Sequence, residues 1–100
     1  MPKIADDIRA TKRVTTHPGA YLRDEYLEPL ALSARAVAAE IGVPANRLTE
    51  MIAGRRGMTA DTALRLAKRF DTSPEFWMNL QTMHDLSKAV IAQRSGKRAA

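Results

Sequence analysis

A helix break at Gly42 and Pro44 constrains this chain more than any other feature of its sequence. The stretch AVAAEIGVPANRLTEMIAG, residues 36–54, favours helix on both sides of a glycine and a proline that lie two positions apart. Gly42 can adopt the left-handed conformation that ends a helix, and Pro44 pre-sets the backbone for the start of another. The spacing therefore predicts two short helices that meet at a steep angle across a tight turn.

The side chains around the break have the spacing of a helix-turn-helix. Inward-facing positions are predicted at Val37, Ala38, Ile41, Val43, Leu48 and Met51. The second helix then exposes a ridge of small or polar side chains, namely Ala45, Asn46, Thr49 and Glu50. A helix with such a narrow polar face fits the major groove of DNA. The alternative is an ordinary corner between two helices that has no nucleic-acid role.

The charge distribution is compatible with a nucleic-acid partner. The formal net charge is +5, but residues 22–42 carry two arginines and four carboxylates, whereas residues 43–70 carry six basic side chains and two carboxylates. A basic segment of this kind is typical of a surface that faces a polyanion, although a solvated basic face has the same composition. The predicted phosphate ligands are the arginines near the ridge, Arg35, Arg47, Arg55 and Arg56.

Three side chains of the ridge have the chemistry to read bases. Asn46 suits bidentate recognition of adenine, and Thr49 offers a hydroxyl group and a methyl group to thymine. Glu50 could accept from cytosine or instead orient Arg47 or Arg55 within the protein, and we favour the second role. Arg47 has two similar options, a DNA contact or an internal ion pair, which the sequence does not separate.

Three further helices are predicted around this pair. The first begins at Pro18 and stops at Pro29, the fourth is capped by Thr59, and the fifth is capped by Ser73. In the fourth helix the predicted inward-facing residues are Leu64, Ala67 and Phe70. With 45% hydrophobic and 5% aromatic residues, the chain is expected to form one compact, all-α domain of five helices.

The ends of the chain lack a helical pattern. Residues 1–14 are polar and are predicted to form a flexible N-terminal arm, and residues 93–100 are predicted to form a basic flexible tail. The helix-turn-helix domain is placed between them, at residues 15–92. No stretch is apolar enough to span a membrane, and the absence of cysteine fits a reducing cytoplasm.

The sequence offers little for catalysis or cofactor binding. It has no cysteine, no carboxylate cluster with metal-ligand spacing and no glycine-rich phosphate loop, so no metal and no cofactor are expected. His17 and His84 are the only two histidines and could form an acid–base pair. Their positions, one before a helix and one within a helix, favour structural roles, so an enzyme is not expected.

Three long segments agree in order and spacing with a known family. They are HPGAYLRDEYLEPLALS at residues 17–33, IGVPANRLTEMIAGRRGMTADTALRLAKRF at 41–70 and TSPEFWMNLQTMHDL at 72–86. Together they resemble the HigA-type antitoxins, a branch of the Xre-like helix-turn-helix regulators with a lambda-repressor-like fold. The DNA-reading positions that the resemblance implies are Ala45, Asn46, Thr49 and Glu50.

The resemblance implies both a DNA partner and a protein partner. The family member would be the antitoxin of a type II toxin–antitoxin module, which binds palindromic double-stranded operator DNA and represses its own operon. It would also neutralise a HigB-type toxin, a ribosome-dependent mRNA endonuclease. Solitary Xre-like transcription regulators share the fold, so a regulator without a toxin partner is the alternative.

A homodimer is expected as well. One recognition helix covers too few base pairs for selective binding, and two-fold symmetry doubles the site. The predicted interface lies on the fifth helix and consists of Trp77, Leu80 and Met83, together with the segment SKAVIA that follows at residues 87–92. Trp77 and its neighbour Phe76 could also stack on bases, but their helical spacing beside Leu80 favours a place in the core or in the dimer interface.

Overall fold

Five helices and the turns between them build the domain. The computed structural model describes residues 7–96 and has no strand in that range. Helix α1 spans Pro18–Leu22 and continues as a wider π-type turn over Arg23–Leu27; the others are α2 (Ala34–Ile41), α3 (Ala45–Ile52), α4 (Ala60–Phe70) and α5 (Pro74–Arg94). A short 3₁₀ turn, Ile8–Ala10, precedes them. The predicted all-α fold is confirmed, and no helix of the described part is long and apolar enough to cross a membrane.

Side-chain caps start the helices where the sequence places them. The hydroxyl oxygens of Ser33, Thr59 and Ser73 accept hydrogen bonds from the backbone N–H groups three residues further on, at 3.0, 3.4 and 3.1 Å. His17 caps α1 in a similar way, because its Nδ1 accepts a hydrogen bond from the Gly19 N–H at 2.9 Å. Each cap satisfies a donor that the first turn of a helix leaves without a partner, which is worth about 1 kcal/mol.

The core lies where the helices meet. Helix α2 packs on α3, α4 packs on α5, and α1 contacts both α3 and α5. The buried apolar side chains are Leu22, Leu27, Val37, Ala38, Val43, Leu48, Met51, Met58, Ala63, Leu66, Ala67 and Trp77. Because α1 joins the two helix pairs, the orientation of α3 depends on how closely α1 approaches it.

Trp77 belongs to this core, which corrects its predicted place in a dimer interface. Its side chain has 0% exposure, its Nε1 donates to Thr72 Oγ1 at 2.7 Å, and the Tyr21 ring stands edge-on at 6.0 Å. A side chain that is enclosed on all sides cannot contact a second copy of the folded domain. The two other predicted interface residues reach the surface, since Leu80 is half-buried and Met83 is 39% exposed.

The prediction for α4 is wrong at Leu64, whose side chain is 60% exposed. The buried residues of this helix are Thr62, Ala63, Leu66 and Ala67, and Phe70 is half-buried. Positions 63, 66, 67 and 70 lie within about 100° of one another around the helix axis, and Leu64 lies about 60° beyond the edge of this arc. Leu64 therefore lies on the outer side of α4.

Residues 7–15 lie along α5 and are bound to it by hydrogen bonds. The Thr15 N–H donates to Ser87 Oγ at 2.9 Å, and His84 Nδ1 lies 2.8 Å from the Thr15 carbonyl oxygen. Further along α5, the Arg94 guanidinium donates to the carbonyl oxygen of Thr11 at 2.6 Å. The chain that precedes α1 thus packs against the last helix over most of its described length.

The predicted boundaries at the two ends stay predictions. The arm over residues 1–14 includes residues 1–6, which lie outside the described residues, and the tail over residues 93–100 includes residues 97–100, which also lie outside them. Helix α5 continues to Arg94, so the first two residues of the predicted tail are helical.

Candidate nucleic-acid interface

The turn between α2 and α3 has the geometry that the sequence predicts. Gly42 has φ 80° and ψ 34°, in the left-handed region, and the N–H groups of Gly42 and Val43 both donate to the Ala38 carbonyl oxygen. Arg65 of α4 adds a contact that the sequence did not reveal, because its Nη1 donates to the Ile41 carbonyl oxygen at 2.6 Å. The end of α2 is therefore held by its own backbone and by α4.

Helix α3 is anchored on one side and open on the other. Leu48 and Met51 have 0% exposure, and they fix the helix against the core. On the opposite side Asn46 and Thr49 are exposed, and Ala45 is half-buried beside them. This arrangement leaves the polar side chains of Asn46 and Thr49 available to base edges in a groove.

Glu50 is engaged within the protein. Its Oε1 accepts hydrogen bonds from Nε and Nη2 of Arg56 at 3.1 and 2.8 Å. The sequence favours an orienting role for Glu50 but names Arg47 or Arg55 as its partner, whereas the structure pairs it with Arg56. An ion pair between partly exposed side chains is worth about 0–1 kcal/mol, so a DNA phosphate can compete for the arginine.

Arg47 is also engaged within the protein. Its Nη1 donates to Asp61 Oδ2 at 2.9 Å, and Nε of Arg65 donates to the same oxygen at 3.0 Å. The spacing of Asp61 and Arg65, four residues apart on one helix, is visible in the sequence, but the link to Arg47 on another helix is not. Of the two roles that the sequence leaves open for Arg47, the structure contains the internal ion pair.

Two of the predicted phosphate ligands are unconstrained. Arg35 is exposed in the first turn of α2, and Arg55 is exposed just beyond the end of α3. Neither guanidinium lies within 4 Å of a carboxylate among residues 7–96. Because they lie near the two ends of the helix-turn-helix, they can reach phosphates on either side of a groove.

The two histidines meet, although they are far apart in the sequence. The rings of His17 and His84 pack edge to face with their centroids 4.9 Å apart. Each Nδ1 already has a backbone partner, since His17 accepts from the Gly19 N–H and His84 contacts the Thr15 carbonyl oxygen. Burial is the main cause that lowers the pKa of His17, and the nearby His84 lowers it further. The pair thus fastens the start of α1 to α5.

The lowered pKa of His17 predicts a loss of stability in mild acid. The unfolded chain binds a proton near the ordinary pKa of 6.5, whereas the folded chain holds the ring neutral to lower pH. Protonation therefore favours the unfolded state below about pH 6.5, and it also removes the Nδ1 acceptor from the cap. The variant His17→Asn keeps a hydrogen-bond acceptor but does not titrate. We therefore expect its melting temperature to fall less than that of the wild type between about pH 7.5 and 5.5. Calorimetric melting of both proteins at three pH values measures this, and equal losses would contradict it.

An exposed apolar surface lies on the outer side of α5. Met83 and Leu86 are 39% and 43% exposed, and Leu80 and Val90 are half-buried near them. These four residues, which we call the α5 stripe, recur at steps of three and four and so share one face. The sequence prediction named Leu80 and Met83 but missed Leu86, although its helical spacing from Met83 was visible.

The described residues contain no cluster of histidine and carboxylate side chains that could hold a metal ion. The exposed side chains of α3 and the nearby arginines offer hydrogen-bond donors, hydrogen-bond acceptors and positive charge. Such a set can bind and discriminate a polyanion.

Comparison with known proteins identifies relatives over most of the chain. The helix-turn-helix family model HTH_3 matches residues 24–77. Virulence-associated protein I of Dichelobacter nodosus is 48% identical over 73 residues, which cover 73% of this chain and 68% of that protein. Antitoxin HigA-1 of Vibrio cholerae is 38% identical over 79 residues, covering 79% and 74%. The structure of the Pseudomonas aeruginosa antitoxin HigA with the higBA promoter superimposes with a TM-score of 0.76 and 41% identity, over 81% of this chain and 88% of that one.

Proposed function

The chain belongs to the helix-turn-helix family and, within it, to the HigA-type antitoxins, and from this premise we propose that it binds operator DNA and represses its own operon. We further propose that it acts as a homodimer in the cytoplasm, where the DNA lies, and that it neutralises a HigB-type toxin. In this role it binds and discriminates partners and catalyses no reaction.

The exposed polar ridge of α3 is the observation that carries the DNA-binding proposal. Asn46 and Thr49 project from a helix whose other side is anchored in the core, and basic side chains lie near both ends of the motif. Asn46 can pair with adenine N6 and N7, and Thr49 can contact the thymine methyl group. The related antitoxin from P. aeruginosa was solved with a promoter, which supports the same use of the fold.

The internal ion pairs and the side-chain chemistry divide the predicted DNA ligands into three groups. Asn46 and Thr49 are assigned to base edges, with Ala45 alongside as a small residue that permits close approach. Arg35 and Arg55 are assigned to phosphates. The remaining three, Glu50, Arg47 and Arg56, are assigned first to holding the surface in shape, because each has a partner within the protein.

Two kinds of substitution distinguish base reading from phosphate binding. Asn46→Ala and Thr49→Ala are expected to lose about 1–3 kcal/mol of discrimination at particular base pairs. Arg55→Ala is expected to weaken binding to the operator and to scrambled duplexes alike. It is also expected to reduce the slope of the logarithm of the binding constant against the logarithm of the salt concentration by about 0.9 per lost contact. Titrations of both duplexes at several salt concentrations measure the two effects.

The choice of arginine matters for this comparison. Arg55→Ala removes charge without breaking an ion pair, whereas Arg56→Ala also leaves Glu50 without its partner. All of these positions are half-buried or exposed, so the variants are expected to fold, which circular dichroism verifies. If Asn46→Ala and Arg55→Ala caused the same uniform loss on both duplexes, α3 would not be the reading helix.

The toxin partner is supported by family membership, and it has its own test. Co-expression with the product of a neighbouring reading frame that encodes a small basic protein is expected to yield a stable complex. Asp24, Glu25 and Glu28 are exposed, and even with Arg23 bound to Asp24 at 2.7 Å they leave a net negative surface that suits a basic partner, since opposite charge speeds association. If the protein bound its operator but no neighbouring product co-purified, a solitary transcription regulator would be the better description.

A further inference from the structure

A shallow basic depression lies beside the C-terminal end of α3. It measures about 180 Å³, and the lining side chains that carry charge or hydrogen bonds are His17, Arg55, Arg56, Gln81, His84, Asp85 and Lys88. We call it the basic basin. The loop after α3 contributes one side and α5 contributes the other, so cations from two distant parts of the sequence meet there. The α5 residues that face this depression belong neither to the predicted DNA ligands nor to the α5 stripe.

The basin has surplus positive charge. Arg55 and Lys88 lie within 4 Å of no carboxylate among residues 7–96. The one carboxylate of the basin, Asp85, accepts a hydrogen bond from Gln81 Nε2 at 2.9 Å and keeps its charge, so Arg55 and Lys88 together exceed it by one positive charge. Arg56 is bound to Glu50, so the cations left for a ligand are Arg55 and Lys88.

The walls of the basin are preorganised. Gln81 Oε1 accepts from the Met58 N–H at 2.6 Å, which fixes the loop after α3 to α5. His17 and His84 close the other side through their edge-to-face contact and their backbone hydrogen bonds. The two segments that carry Arg55 and Lys88 are therefore held against each other before a ligand binds, although these two side chains have no fixed partner of their own.

The position of the basin identifies its ligand. It adjoins the end of the helix that carries Asn46 and Thr49, and phosphates flank any groove that such a helix enters. We infer that a DNA backbone phosphate sits in the basic basin, held by Arg55 and Lys88, so that α5 takes part in DNA binding. This inference rests on the proposed function, because it places the phosphate relative to a duplex read by α3.

Helix α5 can hold DNA and a second protomer at the same time. Lys88 follows Leu86 by two residues, which places the two side chains about 160° apart around the helix axis. The α5 stripe therefore faces away from the basin. A phosphate contact at Lys88 would couple the duplex to the helix that joins the two protomers.

The test is Lys88→Gln, with Lys68→Gln as the matched control. Both lysines are exposed and both changes remove one charge, but Lys68 lies on α4 beside Glu40 and Ile41, outside the basin. Lys88→Gln is expected to lower the slope of log K against log salt by about 0.9 per protomer, or about 1.8 for a dimer, on operator and scrambled duplexes alike. Lys68→Gln is expected to leave the slope unchanged.

Each outcome separates the inference from the proposed function. An unchanged slope for Lys88→Gln, while the wild-type protein still prefers its operator, would overturn the basin inference alone. Equal slope changes for Lys88→Gln and Lys68→Gln would also overturn it, because they would report total charge rather than a contact. An unchanged slope together with lost binding of a co-purifying protein would assign the basin to that protein's carboxylates, again against the inference. A wild-type protein without operator preference would instead contradict the proposed function.

Discussion

Gly19→Ala is expected to destabilise the domain by about 3 kcal/mol or more, at or above the usual upper limit for overpacking. An ideal Cβ at Gly19 would lie 2.0 Å from the Met51 carbonyl oxygen, 2.5 Å from the Met51 carbonyl carbon and 2.9 Å from Ile52 Cα. All three atoms belong to the backbone of α3, so no side-chain rotation can relieve the clash. Helix α1 or α3 must move, and either shift would change how α3, with Leu48 and Met51, is held against the core.

Urea unfolding measures this effect, and Gly57→Ala is its matched control. A Cβ at Gly57 would meet only the Gln81 side chain, at 3.1 Å, which can shift by a few tenths of an ångström and so weakens its hydrogen bond from the Met58 N–H without moving any backbone. We therefore expect the control to cost less than about 1 kcal/mol. Operator affinity is expected to fall for Gly19→Ala even under conditions in which it remains folded. A Gly19→Ala protein as stable as the control would contradict the close approach of α1 and α3.

The helix boundaries could be predicted because their causes are local. Ser33, Thr59 and Ser73 cap helices through bonds that span only three residues, and Gly42 ends α2 through its own backbone freedom. The need for glycine at position 19 could not be predicted, because the atoms that exclude a side chain lie more than 30 residues away along the chain. Leu64 was misplaced because a local run of apolar residues does not reveal which face of a helix meets its neighbours.

The candidate site shows the same division. The exposure of Asn46 and Thr49 follows from the helical repeat around Leu48 and Met51, so it could be predicted from the sequence. The pairing of Glu50 with Arg56 depends on the exact path of the loop after α3, and three neighbouring arginines offered comparable partners. The basic basin was invisible, because His17 and Lys88 meet only once α1 and α5 have packed together.

Leu86→Glu is expected to convert a dimer into a monomer and to lower operator affinity at least about 100-fold. Leu86 is 43% exposed on the outer side of α5, so a carboxylate there is solvated in the monomer and the domain stays folded. In a two-fold interface the substitution occurs on both protomers, and unpaired like charges placed at an interface cost several kcal/mol. Because tenfold in affinity corresponds to about 1.4 kcal/mol, the loss of one half-site contact accounts for a change of this size.

Leu64→Glu is the matched control, since Leu64 is 60% exposed on α4 and lies outside the α5 stripe. Light scattering at micromolar concentration is expected to give a monomer mass for Leu86→Glu and a dimer mass for Leu64→Glu and the wild type. A Leu86→Glu protein that kept the dimer mass would exclude the α5 stripe as the interface.

The monomer should still bind scrambled DNA through Arg55 and Lys88, with about half the salt slope of the dimer, because each protomer carries its own phosphate contacts. Selective binding should be lost first, since recognition of a palindrome requires two α3 helices held about 34–36 Å apart.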